Sequence, residues 1–250
     1  MSSAVTFDFH NTLVRCDPWF VLETRTLPQT VLATLIAQDA VPTQTIDVEA
    51  LQGHYRALRT EIMTHGREMD AVDGSAETFR RAGITVDPAL IGPVVNDMFR
   101  PLVSTSELVN GAAETIQDLN RQGARLGIVS SAVHHDFLLW CLQHHGLEGF
   151  FDSVVTSASA GWYKSDPSIY RHALDELGAL PHRSVHVGDS FRFDHLAARS
   201  IGMASVWLNE DNSEPQMGAL SPDLTLSSLV GSGSAIAYLL HERTSESVAD

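Results

Sequence analysis

Val5-Thr6-Phe7-Asp8-Phe9-His10-Asn11-Thr12-Leu13 is a short apolar strand that runs straight into Asp-x-x-Asn-Thr. A strand followed at once by turn residues delivers a carboxylate to the end of a sheet, where strand gives way to loop. Asp8 is therefore the candidate nucleophile.

The 250 residues carry 31 acidic and 16 basic side chains, a formal charge of -15. That field repels polyanions and argues against nucleic acid or an anionic membrane as partner. A phosphate-bearing substrate would need a local cationic site. Arginine supplies fifteen of the sixteen basic residues, and the single lysine is Lys164. Cys16 and Cys141 are the only cysteines, and they form no CxxC pair or Cys/His cluster, so neither a disulfide framework nor a zinc site is indicated. The start of the sequence lacks the basic region of a signal peptide, and no stretch approaches the length of a membrane span. The expectation is a cytoplasmic protein. Nothing in the residues specifies an oligomeric state.

After Asp8 the pattern is helical. Asp17-Pro18 offers a helix start, and Pro28 interrupts or restarts the helix that follows. Residues 30–38, 46–64, 76–81 and 88–99 show apolar side chains at three- and four-residue spacing, punctuated by Pro42, Gly66, Gly74 and Gly83. From 111 onward helix and strand alternate. Helices are expected at 111–122, 134–145, 167–177 and 193–200, strands at 125–130, 152–156, 184–188 and 204–208, a possible edge strand at 223–226 and a last helix at 235–240. The spacing predicts an α/β fold with a parallel sheet, built from residues 1–16 and 105–250, and an inserted all-helical unit at 17–104. The polar tail 241–250 is expected to fray.

Four polar positions fall where a buried strand ends or in the loop just after: Asp8, Ser130, Lys164 and Asp189. The C-terminal ends of parallel strands share one edge, where such folds bind ligands, so these residues should converge. Asp194 follows Asp189 by five residues and could alternatively cap the next helix. His186 reads as a core residue within its strand. His134-His135 and His144-His145 mark the two ends of one helix and show no ligand pattern. His54, Tyr55, Arg56 and Arg59 cluster on one helix of the insert, where a solvated face is the expectation and reading of the substrate the alternative.

The arrangement resembles the haloacid dehalogenase-like hydrolase superfamily. The quoted motifs are Asp8-Phe9-His10-Asn11-Thr12, the strand ending in Ser130, Lys164-Ser165-Asp166-Pro167, and Gly188-Asp189 with Asp194. The resemblance implies a Rossmann-like core with a helical cap and an Asp8 that forms a covalent aspartyl-phosphate. It implies Mg²⁺ held by Asp8, the backbone carbonyl of His10, Asp189 and Asp194. Ser130 would hydrogen-bond the transferring phosphoryl group and Lys164 would neutralise its charge, with Arg15, Trp19 and Phe20 lining the cleft between core and cap. His10 departs from the family pattern, which has an acid/base aspartate there. Histidine can serve as acid or base near neutrality, although a nearby Mg²⁺ disfavours its protonated form. The expected activity is Mg²⁺-dependent hydrolysis of a small phosphorylated metabolite. The competing readings are a carbon–halogen hydrolase, whose branch of the family usually lacks the Gly-Asp carboxylate, and a binding protein for a phosphorylated ligand. A phosphonate hydrolase would need a cap lysine, which is missing here. A mutase or phosphoryl transferase would differ only in the acceptor.

Overall fold

The computed structural model describes residues 2–42, 47–211 and 220–246. The chain enters through β1 (Ser2–Phe7), turns, and forms the two-residue β2 (Val14–Arg15). Helices α1 (Asp17–Val21), α2 (Leu27–Ala37), α3 (Val48–His65), α4 (Ala71–Arg81) and α5 (Pro88–Phe99) follow, before the two-residue β3 (Glu107–Leu108). The remainder alternates: α6 (Ala112–Arg121), β4 (Arg125–Ser130), α7 (His135–His144), β5 (Ser153–Thr156), α8 (Ser157–Ala160), α9 (Ser168–Glu176), β6 (Ala179–Gly188), α10 (Ala197–Ser200), β7 (Ala204–Leu208), β8 (Leu224–Leu226) and α11 (Gly233–Glu246).

Six strands form one sheet in the order β5-β4-β1-β6-β7-β8, and every pairing is parallel. Its central strands are buried on both faces, which is why they read as near-continuous apolar runs. One face packs Phe7, Ile128 and Val187 against Ile116, Phe137 and Ile236, and the other packs Ala4, Val129 and Val155 against Ile169, Tyr170 and Leu174. Core helices therefore cover both sides, a doubly wound α/β arrangement.

Helices are the only regular elements described between residues 17 and 105. Three of them start at an aspartate that accepts from their first free N–H groups: Asp47 from Ala50 in α3, Asp70 from Val72 and Asp73 in α4, and Asp87 from Ala89 in α5. Pro28 lies in the first turn of α2, so it restarts a helix. Asp17 is the first residue of α1 and makes no capping bond, unlike the expectation for it. α3 ends at Gly66, whose φ of 73° is the left-handed region that glycine adopts without strain.

Two features escaped the sequence. β2 and β3 pair antiparallel, Val14 with Leu108 and Arg15 with Glu107, so the two chain crossings between sheet and helical layer are joined. Residues 66–68 also lie against 161–163, with Tyr163 N donating to Gly66 O and Glu68 N to Gly161 O. Two expectations near the end of the chain are corrected. α11 runs to Glu246 and does not stop at 240, and its extension is tied down where Arg243 Nη2 donates to Gly202 O at 2.8 Å, so 241–246 are helical and 247–250 lie outside the described residues. Ile46, expected at the start of α3, also lies outside them.

Candidate active site

β1 lies between β4 and β6, with Phe7 in register with Ile128 on one side and Val187 on the other. Asp8, one residue on, is thus flanked by the ends of the strands that carry Ser130 and Asp189. Asp8 N donates to Val187 O at 2.8 Å, and Leu13 N and Val14 N return to Phe9 O, closing a tight turn. Asn11 sits at φ 61°, a conformation asparagine tolerates better than most residues.

Lys164 is 2% exposed, and its Nζ donates to Asp8 Oδ1 and to Asp194 Oδ1, both at 2.5 Å. The loop that carries it is braced by the 66–68 segment just described. Asp194 stands on a wide π-helical turn, Phe191–Leu196, a form of turn frequent at functional sites. Its Oδ2 accepts from Ser190 N at 2.8 Å, and His186 Nε2 lies 3.2 Å from its Oδ1. His186 Nδ1 in turn lies 2.8 Å from Thr6 Oγ1. A buried polar line therefore runs Thr6, His186, Asp194, Lys164, Asp8.

Asp8, Asp189 and Asp194 offer carboxylate oxygens within 4.8 Å of one another. Burial pushes Asp8 up to about 6 against the pull of Lys164, and Asp194 adds to the rise. Burial and then the charges of Asp8 and Asp194 push Asp189 up to about 8. Asp194 goes the other way: burial opposes ionisation, but Lys164 and His186 hold it well below the ordinary carboxylate range. Three crowded carboxylates with one ammonium leave excess negative charge in a low-dielectric site, and an oxygen-only donor set suits a hard divalent cation. The cluster could hold a metal ion.

Gly188 makes this crowding possible. A Cβ there would lie 2.3 Å from Asp194 Cγ, on a side chain fixed by Lys164, His186 and Ser190 N. Gly188→Ala is expected to cost about 2–3 kcal/mol by overpacking and to weaken metal binding. Thermal denaturation with and without Mg²⁺ checks this; unchanged stability and metal response would count against the geometry.

The cluster opens into a cleft of about 360 Å³, lined also by His10, Trp19, Phe20, Glu23, Arg59, Ser130, Ser131, Tyr163 and Phe193. The His10 ring stacks on Phe20 at 4.6 Å and meets the edge of Trp19 at 5.2 Å. Its Nε2 is buried with no hydrogen-bond partner among the described residues. Burial pulls His10 down to about 4, with Asp17 opposing and Arg15 assisting, so the ring is neutral at pH 7. Arg15 itself is not among the residues that line the cleft. Its guanidinium pairs with Glu210 on the outer side of β2. No motif or spacing marks Glu23, whose side chain is buried in the cleft wall. Arg59, expected on a solvated face, also lines the cleft and pairs with Glu68.

A family model described as haloacid dehalogenase-like hydrolase matches residues 3–202. The chain belongs to this family. Among haloacid dehalogenase-like hydrolase relatives, the domain-containing protein 3 of Bos taurus is 34% identical over 131 residues, 52% of this chain and 51% of that protein. A glyceraldehyde 3-phosphate phosphatase of Methanothermobacter thermautotrophicus is 34% identical over 120 residues, 48% of this chain and 49% of the relative. The chain thus spans about half the length of these curated relatives in its matches. In three dimensions it is similar to a 2-haloacid dehalogenase from Pseudomonas syringae pv. Tomato, with TM-score 0.69 and 19% identity over 96% of this chain and all of that one. At that identity the likeness speaks for the haloacid dehalogenase-like fold alone. No helix among the described residues is long and apolar enough to cross a membrane.

Proposed function

We propose that this chain is a Mg²⁺-dependent phosphohydrolase of a small phosphorylated metabolite. The observation that carries the reading is the convergence of three carboxylates on Lys164, a local cationic site inside an acidic protein. The relative named for glyceraldehyde 3-phosphate phosphatase activity supports the same reaction class. Residues 17–104 act as a cap over a core of 1–16 and 105–250. Two free, buried cysteines fit a reducing cytoplasmic setting.

Asp8, Asp189, Asp194 and the His10 carbonyl would hold Mg²⁺, which when bound offsets the charge of the phosphate and the carboxylates. Asp8 attacks phosphorus as its carboxylate, the P–O bond to the alcohol breaks and the alcohol leaves with a proton taken from water, and water then hydrolyses the aspartyl-phosphate to return the Asp8 carboxylate and release phosphate. Ser130 donates a hydrogen bond to a phosphoryl oxygen, and Lys164 holds Asp8 in place and stabilises the charge that develops. His10, neutral at pH 7, can take a proton from the attacking water through its free Nε2 but is a poor donor to the leaving group. Trp19 and Phe20 close the cleft around the ring and help exclude bulk water. Asp189 also weighs against metal-free halide displacement, because the dehalogenase branch of the family usually lacks that carboxylate.

The test is phosphate release from a panel of phosphomonoesters with Mg²⁺ and with chelator. Release that requires the metal is the expected outcome. Silence across the panel, or release of halide from haloacids, would remove the proposal.

A further inference from the structure

Glu23 sits in the cleft wall with no task in the reaction just described. It lies on a π-helical turn, Leu22–Thr26, and Tyr55 Oη–H donates to its backbone carbonyl at 2.5 Å, which fixes its place. Its side chain lines the cleft, the residue is 4% exposed, and Oε2 is buried with no hydrogen-bond partner among the described residues. A carboxyl oxygen buried without a partner is costly unless something arrives to meet it.

Among the described residues lining the cleft, neither cation is free to do so. Arg59 is committed to Glu68, with Nη1 at 2.6 Å from Oε1 and Nη2 at 3.3 Å from Oε2. Glu68 also accepts from Ser157 Oγ–H and Met69 N–H, so that pair is complete in itself. Lys164 is committed to Asp8 and Asp194. Burial pushes the Glu23 carboxyl up to about 8, a rise to which Glu68 adds and which Arg59, the Val133 backbone N–H and the Trp19 indole only partly offset, so without a bound cation the group is largely neutral at pH 7 and it ionises when a cation meets it. Among the residues lining the cleft, Arg59 and Lys164 are already paired with other carboxylates, so neither is left for a second anionic group on a substrate, whereas Glu23 makes no ion pair of its own. The same cleft is lined by the aromatic rings of Trp19 and Phe20, surfaces that suit a cation.

We propose that Glu23 is the specificity-determining residue of the cleft, and that it takes an ammonium group on the organic part of the substrate. The substrate class is then a phosphomonoester of an amino alcohol or amino sugar. This rests on the phosphohydrolase reading and narrows it.

The experiment uses two matched sets on the full chain with Mg²⁺. One is ethanolamine phosphate, 2-hydroxyethyl phosphate and phosphoglycolate, and the other is glucosamine 6-phosphate, glucose 6-phosphate and 6-phosphogluconate. In at least one set the amine is expected to exceed the hydroxyl compound at least about tenfold in kcat/KM, with the carboxylate lowest. Glu23→Gln should bring amine and hydroxyl to within about threefold, mainly through KM. Preference for hydroxyl or carboxylate, or an amine preference that survives Glu23→Gln, overturns the proposal while leaving the phosphohydrolase reading intact. Should Glu23→Gln fail to fold, the wild-type ranking still decides. If the wild type releases phosphate from none of the six, the phosphohydrolase reading is judged by the broader phosphomonoester panel above. The melting temperature of Asp8→Asn with each compound then judges Glu23 separately: larger shifts with the amines support it, and equal or absent shifts overturn it.

Discussion

Asp8→Asn is expected to lower phosphate release at least about 10³-fold while making the metal-free protein more stable at pH 7.5. The loss follows from chemistry: a carboxamide cannot form the aspartyl-phosphate, although its oxygen still fits the position that accepts from Lys164 Nζ. The stability gain follows from linkage. The Asp8 carboxyl is pushed from 3.8 to about 6 on folding, chiefly by burial. An acid whose folded value is raised costs nothing below its unfolded value, and the cost grows as pH rises from about 4 to 6 and stays constant above. The variant escapes that cost, on the order of 2 kcal/mol, or several degrees in a chain of this size. Melting curves in chelator should therefore show Asp8→Asn above wild type at pH 7.5, with the gap closing toward pH 4. A variant less stable than wild type at pH 7.5 would mean that the carboxylate is better compensated than its neighbours suggest.

Lys164→Met is expected to be the most damaging single change to the fold. Methionine keeps the length of the stem but removes the only ammonium that meets Asp8 and Asp194, leaving two buried carboxylates facing each other. Breaking such a buried ion pair from one side costs about 3–5 kcal/mol. Divalent metal should recover part of this, because it supplies positive charge to the same oxygens. The melting temperature of the variant is expected to rise more with Mg²⁺ than that of wild type, while phosphate release stays down by about 10²-fold. Equal metal responses in the two proteins would argue that the cation binds elsewhere.

The parallel core was legible because strands buried on both faces must be apolar throughout, and the runs at 125–130, 184–188 and 204–208 have that character. Asp8, Ser130, Lys164, Asp189 and Asp194 were legible as strand-end and loop residues that the topology brings together, and all five line one cleft. Three other things were not. His186 sits in an ordinary buried strand, and only the packing of the Asp194 turn reveals that its ring reaches a carboxylate. Glu23 lies in a helical stretch whose spacing does not mark it as buried, since its inward position comes from a local change of helical pitch. The β2–β3 pair is two residues long on each side, too short for any periodicity to register. Arg15 is a neighbour of the active turn in sequence but belongs to that pair, which directs it to Glu210.

The solitary lysine also has a practical side. Because Lys164 is buried between two carboxylates, the described surface presents no lysine amine to acylating reagents, immobilisation resins or conjugating enzymes. Amine-directed labelling of lysine on the folded protein should be nearly silent. Incorporation at residue 164 would then serve as a direct count of molecules whose interior has come open.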